Sequence, residues 1–220
     1  MEDNQAVQRY QEKLFLQYAR IGKCLSSERR LEILSLLSNG PKSVETIAQQ
    51  TGMSVANVSR HLQILLEANL VKFSKQKNYV IYSLATPDVA DFLMSLWKIC
   101  ENQLSDVPRL KEDMLKQYHN VKSISKEELS ERMEAGTILV LDVRPKEEYE
   151  FEHIDGAVSV PLEELDQYLL DLPRDTEIAA YCRGPYCVYT SQAVETMQKN
   201  GFKAYRIEEG VLEWRTEDDD

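Results

Sequence analysis

The spacing of apolar residues divides the chain into two stretches of different kind. Through about residue 100 the apolar positions recur at helical intervals. Leu14, Leu16, Tyr18, Ile21 and Leu25 lie among good helix formers and predict a first helix over about 7–25. "SSERRLEILSLLSNG" predicts a second, capped by Ser26 or Ser27 and stopped by Asn39-Gly40-Pro41, with Leu31, Ile33, Leu34, Leu36 and Leu37 on its apolar face. "SVETIAQQTG" predicts a short third helix behind Ser43, ending at Gly52. "SVANVSRHLQILLEANL" predicts a fourth behind Ser54, with Val58, Leu62, Leu65 and Leu66 inward. "LVKFSKQKNYVIYSL" alternates around the polar turn "KQKN" and predicts a β-hairpin. "PDVADFLMSLWKICENQL" predicts a last amphipathic helix.

Beyond residue 120 the pattern changes. "TILVLDVR" and "EIAAYC" are continuous apolar runs, as parallel strands buried on both faces require, and "KAYRIEEG" is a third candidate. Helical patterns separate them, "PLEELDQYLLDL" and "VYTSQAVETMQKNG". Ser125 and Glu128 form a capping-box pattern ahead of a further helix. Strands alternating with helices predict an α/β domain. Between the two patterns, "SDVPRLKEDMLKQYHNVK" is periodic but weakly apolar and predicts a helical linker. The expected organisation is a mainly α winged helix-turn-helix domain over 1–104, a linker over 105–120, and a three-layer α/β domain with a parallel sheet over 121–220.

Charge sharpens the division. Residues 1–110 hold 13 basic and 11 acidic side chains, and residues 111–220 hold 13 and 26. Residues 20–85 alone hold 9 basic against 4 acidic. Only the first part suits a phosphate backbone. No run of about 18 apolar residues is present, so no membrane partner is expected. The N-terminus is acidic and polar without the apolar core of a signal peptide, which predicts a cytoplasmic protein. Cys24, Cys100, Cys182 and Cys187 are then thiols by default.

Helix, helix, short turn, helix, hairpin and helix is the order of a winged helix-turn-helix, with its turn at "QTGMS". The second helix of such a motif enters the major groove. With Val58, Leu62 and Leu65 inward, Ser54, Asn57, Ser59, Arg60 and His61 are the candidate DNA-reading residues. Arg forks onto guanine and Asn pairs with adenine. Lys75 and Lys77, at the hairpin tip, are candidates for phosphate contact. "RLEILSLL", "NVSRHLQIL", "LLEANLV" and "YVIYSL" resemble the ArsR family of winged-helix transcriptional regulators over about residues 10–100. The resemblance implies a homodimer joined through the first and last helices, bound to a palindromic operator, and repression relieved by an inducer. Many members sense metals through a cysteine pair in the first helix of the motif. Here that helix, "SVETIAQQ", has no cysteine, and His61, His119 and His153 are scattered, so no metal is expected. Cys24 and Cys100 fall in the two expected dimerisation helices. They read either as small interface hydrophobes or as sensor thiols that sulfur or an oxidant bridges.

"YCRGPYCVYT" carries the second domain's chemistry. Its two cysteines are five positions apart at a strand-to-helix junction. The spacing suits neither a zinc site nor a C-x-x-C redox pair, and a cysteine phosphatase would need Arg at 188, where Val stands. A loop curling from a strand end into a helix start aims backbone N–H groups at one point and adds the helix dipole, which favours a thiolate. Gly184 lets the backbone curl, and Pro185 stiffens it. The pieces Asp142-Val143-Arg144, Glu148-Tyr149, His153-Ile154, Gly156-Ala157, Pro161, "EIAAYC", Gly210 and Trp214 together resemble the rhodanese family of sulfurtransferases over about residues 121–216. The resemblance implies that Cys182 takes sulfane sulfur from a small donor (thiosulfate, polysulfide or persulfide), becomes a persulfide and passes the sulfur on. No cofactor is implied. Arg183, Gly184, Tyr186 and Cys187 complete the loop, and Arg183 is a candidate for attracting an anionic donor. Asp142, Arg144 and His153 read as structural hydrogen-bonding groups.

Two departures bear on the chemistry. Cys187 stands where the family often has Arg, and Glu209 replaces the first of two glycines before the tryptophan. Cys187 is either a resolving thiol or a small residue filling the first helical turn. The expected function is a DNA-binding regulator, a repressor, whose rhodanese-like domain couples reactive sulfur to DNA binding. The alternative is an active thiosulfate or polysulfide sulfurtransferase tethered to an independently controlled DNA-binding domain.

Overall fold

A computed structural model describes residues 2–77, 79–118, 121–184 and 187–215. The chain falls into two compact units, Met1–Leu93 and Met94–Asp220. The division lies within a helix, ahead of the expected linker.

The first unit opens with α1 (Glu2–Leu25), α2 (Glu28–Leu37), the two-residue strand β1 (Lys42–Ser43), α3 (Val44–Thr51) and α4 (Val55–Glu67). The hairpin strands β2 (Val71–Gln76) and β3 (Tyr79–Leu84) follow, then α5 (Pro87–Gln103). The local signals act as expected. Ser43 Oγ accepts the Thr46 N–H at 3.1 Å and Ser54 Oγ that of Asn57 at 3.3 Å, each satisfying an orphan donor of a helix start. Gly52 ends α3 at φ 68°, a left-handed conformation that suits glycine. Ser27 precedes α2 without a side-chain capping bond. β3 pairs antiparallel with both β2 and β1, giving the order β1-β3-β2. Gln76 opposes Tyr79, so the wing turns over two residues, and Lys77 takes φ 53° there. Ile33, Leu34, Ile47, Val58, Leu62 and Leu65 are fully buried and fix the mutual packing of α2, α3 and α4.

The second unit begins within α5 and continues through α6 (Asp106–Leu115), β4 (Lys122–Ile124), α7 (Lys126–Glu134), β5 (Leu139–Asp142) and α8 (Lys146–Phe151). β6 (Val158–Ser159), a 3₁₀ turn (Leu162–Glu164), α9 (Leu165–Leu170), β7 (Glu177–Tyr181), α10 (Val188–Lys199), β8 (Lys203–Ile207) and α11 (Val211–Arg215) complete it. All pairings are parallel and the sheet order is β4-β8-β7-β5-β6. This is the expected three-layer α/β fold. The strand β7 shows why its sequence is apolar throughout. Ile178, Ala180 and Cys182 pack into the core that includes Ala193, Val194 and Met197 of α10. Ala179 and Tyr181 pack into the opposite core with Leu129 of α7 and Val211 of α11. In a strand, successive side chains point to opposite faces, so both sets of β7 must be apolar here. Ser125 Oγ accepts the Glu128 N–H at 3.3 Å, but Glu128 turns its carboxylate to Arg132 at 2.7 Å instead of closing the capping box. Lys111 of α6 pairs with Glu208 at 3.3 Å, so the expected linker helix has a tie to the second unit. No helix among the described residues is long and apolar enough to cross a membrane.

Candidate thiol site and nucleic-acid interface

β7 ends at Tyr181, whose carbonyl accepts the Val143 N–H at 3.1 Å, and Cys182 follows at the carboxyl end of the central strand. Cys182 is 2% exposed and belongs to the core. The chain then curls. Gly184 takes φ 118°, and its carbonyl accepts the Cys187 N–H at 3.0 Å, closing a tight turn. Cys187 is half-buried and occupies the N-cap position of α10. Its side chain packs against the core that holds Cys182, and the two thiols shift each other's acidity. Tyr186 lies outside the described residues.

The two thiols act on each other. Interaction with Cys182, then with the backbone and charge of Arg183, brings the Cys187 thiol down to about 6 against the opposing effect of burial. The same interaction, with burial, pushes the Cys182 thiol up. The sequence leads one to expect the thiolate at Cys182. In the structure the bias runs the other way, with the Cys187 thiol lowered and the Cys182 thiol raised, and Cys187 stands at the positive end of the α10 dipole.

Arg183, the candidate for attracting an anionic donor, has its guanidinium on Glu148. Its Nε donates to Glu148 Oε2 at 2.8 Å and its Nη2 to Glu148 Oε1 at 2.6 Å. Glu148, on α8, is 1% exposed. The fork is therefore engaged in fastening the cysteine loop to α8, and only its residual field reaches the sulfurs. On the other side of the loop stands Gly210. A Cβ there would lie 2.7 Å from the Gly184 nitrogen and 2.9 Å from the Arg183 carbonyl carbon. No side chain fits between these backbones. Glu213 accepts the Gly210 N–H at 2.9 Å, and burial raises its carboxyl pKa. Glu209, the departure noted beside Gly210, has a buried Oε2 with no hydrogen-bond partner among the described residues.

Sequence reading passed over two charged residues of this site. Glu148 was visible only as part of a motif, and its partner lies 35 residues away. Arg206, on β8 in register with Ala180, is 1% exposed. Burial lowers its pKa, while Glu208, Cys187 and Glu209 act in the opposite direction. An arginine inside an apolar strand was the available signal. Asp142, Arg144 and His153 are structural. Arg144 binds Asp142 at 2.6 Å, deep in the fold, and the half-buried Glu152's carbonyl at 2.7 Å. His153 Nδ1 lies 2.9 Å from the Tyr149 carbonyl and its ring stacks on Tyr149.

In the first unit Asn57, Ser59 and Arg60 are exposed on α4, Ser54 is exposed at its start, and Lys75 and Lys77 are exposed on the wing. Ser54 uses its hydroxyl to cap α4. His61 differs from expectation. It is half-buried, and its Nδ1 is inaccessible with no partner among the described residues. Burial and then Arg30, Arg60 and Arg29 lower its pKa, so it is a neutral imidazole, not a cation for phosphate. Cys24 is 4% exposed, with its sulfur 3.9 Å from the Ile64 carbonyl. Burial raises its thiol pKa, and it lines a cleft of about 230 Å³ with Arg20, Lys23, Ile64, Glu67 and Ala68. Cys100 is half-buried on α5 in the second unit. No group of three or more His, Cys, Asp and Glu among the described residues is placed to hold a metal.

A winged helix-turn-helix with an exposed, capped second helix, followed by a parallel α/β domain with two cysteines at a strand-to-helix junction, defines the architecture of a two-part regulator. Comparison with known proteins agrees. Residues 27–72 match the family model "Bacterial regulatory protein, arsR family", and residues 125–217 match "Rhodanese-like domain". The HTH-type transcriptional regulator Rv0324 of Mycobacterium tuberculosis is 40% identical over 199 residues, 90% of this chain and 87% of that protein. The putative sulfur carrier protein YrkF of Bacillus subtilis is 33% identical over 97 residues, 43% of this chain and 51% of that protein. The solution structure of the homodimeric winged helix-turn-helix DNA-binding domain of Mb0332 from Mycobacterium bovis is similar with a TM-score of 0.42. It is 36% identical and covers 43% of this chain and 88% of that one. The chain belongs to the ArsR family of transcriptional regulators, in a form that carries a rhodanese-like domain.

Proposed function

We propose that this regulator is a homodimeric, cytoplasmic repressor that binds a palindromic operator and whose operator affinity changes when its rhodanese-like domain takes up sulfane sulfur. α4 lies in the major groove, with Asn57, Ser59 and Arg60 toward base edges, Ser54 at the helix start, and Lys75 and Lys77 on the backbone. α1 and α5 form the dimer. The exposed Tyr10, Phe15, Leu16 and Tyr18 on α1 and Phe92 on α5 support this, since large apolar side chains left in solvent on both helices suit burial against a partner.

Cys182 carries the sulfur as a persulfide, with a small polysulfide or persulfide as donor. The observation that carries this reading is the pair of cysteines at the junction of β7 and α10, Cys182 at the strand end and Cys187 at the helix N-cap, packed against one core. Such a helix start stabilises a thiolate and then the terminal sulfur of a persulfide. The engagement of Arg183 with Glu148 and the cysteine at 187 weigh against rapid turnover of thiosulfate, a dianion. A binding assay with operator DNA, with and without inorganic polysulfide, tests the proposal. The wild-type affinity shifts with polysulfide and that of Cys182→Ser does not. Equal responses in the two proteins would sink it.

A further inference from the structure

The Cys182 sulfur has an immediate neighbour of its own kind. Cys187 packs against the core that holds Cys182, is brought back toward it by the turn after Gly184, and is the less buried of the two. The backbone is closed around them by the Gly184 carbonyl to Cys187 N–H bond and is wedged from outside by Gly210. The field of two arginines, Arg183 and the buried Arg206, reaches Cys187. A persulfide on Cys182 is therefore formed next to a second sulfur nucleophile. Thiol exchange depends on access and on the thiolate fraction of the attacking sulfur, and Cys187 has both.

Resting on the reading that Cys182 becomes a persulfide, we propose that Cys187 resolves it within the loop, so that the domain converts sulfane sulfur to sulfide and is left as a Cys182–Cys187 disulfide. In the first step the Cys182 sulfur bonds to the outer sulfur of a small persulfide, RS–SH. The bond between the donor's sulfurs breaks, RS⁻ leaves, and the proton of Cys182 passes to the leaving thiolate. In the second step the Cys187 thiolate attacks the inner sulfur of the Cys182 persulfide. The new bond joins the two cysteine sulfurs, the bond to the outer sulfur breaks, and HS⁻ departs. The two cysteines lose two electrons, which leave on the sulfide. A dithiol reductant returns the pair to thiols.

This goes beyond sulfur carriage. A carrier waits for an external acceptor, whereas here the first equivalent of sulfur is discharged without one. The lasting signal in the protein is then a disulfide, which persists after the donor is gone and is erased only by reduction. The pairing also gives Cys187 a role in place of the arginine often found at that position.

The experiment uses the full-length protein, reduced, freed of small thiols and kept anaerobic, with one equivalent of a small alkyl persulfide. Wild type releases about one sulfide per chain and yields an intact mass lower by two hydrogens, with the disulfide mapped to the peptide holding both cysteines. Cys187→Ser, which retains a good helix N-cap residue, gains the mass of one sulfur on Cys182 and releases no sulfide until a thiol is added. A wild type that keeps the added sulfur and releases no sulfide overturns the proposal and leaves the persulfide reading standing. So does equal sulfide release by Cys187→Ser. If Cys187→Ser gains no sulfur at all, the persulfide reading itself falls. Circular dichroism of each variant establishes that the fold is intact before either result is read.

Discussion

The Arg183 guanidinium is held by the Glu148 carboxylate through two bonds of 2.8 and 2.6 Å, and Glu148 is almost wholly buried. A buried carboxylate is tolerated because the guanidinium fork meets both of its oxygens. Replacing it by the isosteric amide removes the charge but leaves Arg183 in place. Glu148→Gln should destabilise the protein by about 3 kcal/mol, the lower end of the cost of breaking a buried pair. A urea titration reads this as a lower midpoint at unchanged slope. The exposed Lys146–Glu164 pair, at 2.6 Å with each side chain about half exposed, is the control. Lys146→Ala should cost no more than about 1 kcal/mol. Equal costs would mean that the Arg183–Glu148 pair does not anchor the loop.

Gly210 is required by space, not by backbone conformation. Its φ is not in the left-handed region, yet an added Cβ would lie 2.7 Å from the Gly184 nitrogen. Backbone cannot yield as a flexible side chain does. Gly210→Ala should displace the cysteine loop, cost about 1–3 kcal/mol and slow alkylation of Cys187 at neutral pH, because the thiol leaves the surroundings that lower its pKa. Gly201 is the contrasting site, with φ 87° and nothing within 4 Å of an added Cβ. Gly201→Ala should cost about 1–2 kcal/mol from strain alone and leave the alkylation rate untouched. The comparison of the two rates, by mass spectrometry against time, is the measurement.

The features legible in the sequence were those written in adjacent residues. Ser43, Ser54, Ser125 and Gly52 act within one turn of their own position, and each does what its residue type predicts. The apolar runs at β5 and β7 announced buried parallel strands for the same reason. β4 and β6 were invisible because three and two residues carry no periodicity. The site was legible as a loop and not as a circuit. Cys182 and Cys187 are five residues apart, but which thiol is the more acidic depends on surroundings that the curled backbone brings round. Glu148 and Arg206 arrive from other strands and helices, so spacing could not reveal them. His61 is half-buried where its neighbours Ser59 and Arg60 are exposed, a difference that depends on what packs beside α4 and is not written in adjacent residues.

Arg60 and His61 are adjacent on α4 and separate cleanly in the structure. Arg60 is exposed, and His61 is half-buried and held neutral by its surroundings. Arg60→Ala should leave thermal stability unchanged and weaken operator binding by about 1–3 kcal/mol, with specificity relaxed at one base position. His61→Ala should show the reverse balance, a loss of stability exceeding its loss of specificity. Fluorescence anisotropy on operator variants, alongside thermal melts, distinguishes the two. If His61→Ala changes base preference as Arg60→Ala does, the imidazole reaches the groove and its half-buried placement does not govern its role.

The thiol pair also predicts how stability varies with pH. Cys187 ionises at about 6 in the folded chain against an ordinary thiol value of 9.0. Between these values the unfolded chain carries a proton that the folded chain has released, so stability rises with pH across this window. That contribution is fully present above 9.0 and is lost as pH falls through 6. Cys182 acts oppositely, because its folded pKa lies above the ordinary 9.0. Once the unfolded thiol ionises and the folded one does not, stability falls with further increase in pH. The pair should therefore give wild type a stability contribution that climbs from about pH 6 and turns over near 9, a shape that follows from two thiols shifted in opposite directions. Cys187→Ser removes the rising limb, and the difference between the two proteins' urea-unfolding free energies, measured across this range under reducing conditions, isolates the effect from every other titrating group. The same variant should lose the thiolate absorbance that appears near pH 6 in wild type. A difference curve that is flat between 6 and 9 would mean that the charge does not reside on Cys187, and that the helix start of α10 is not what holds it.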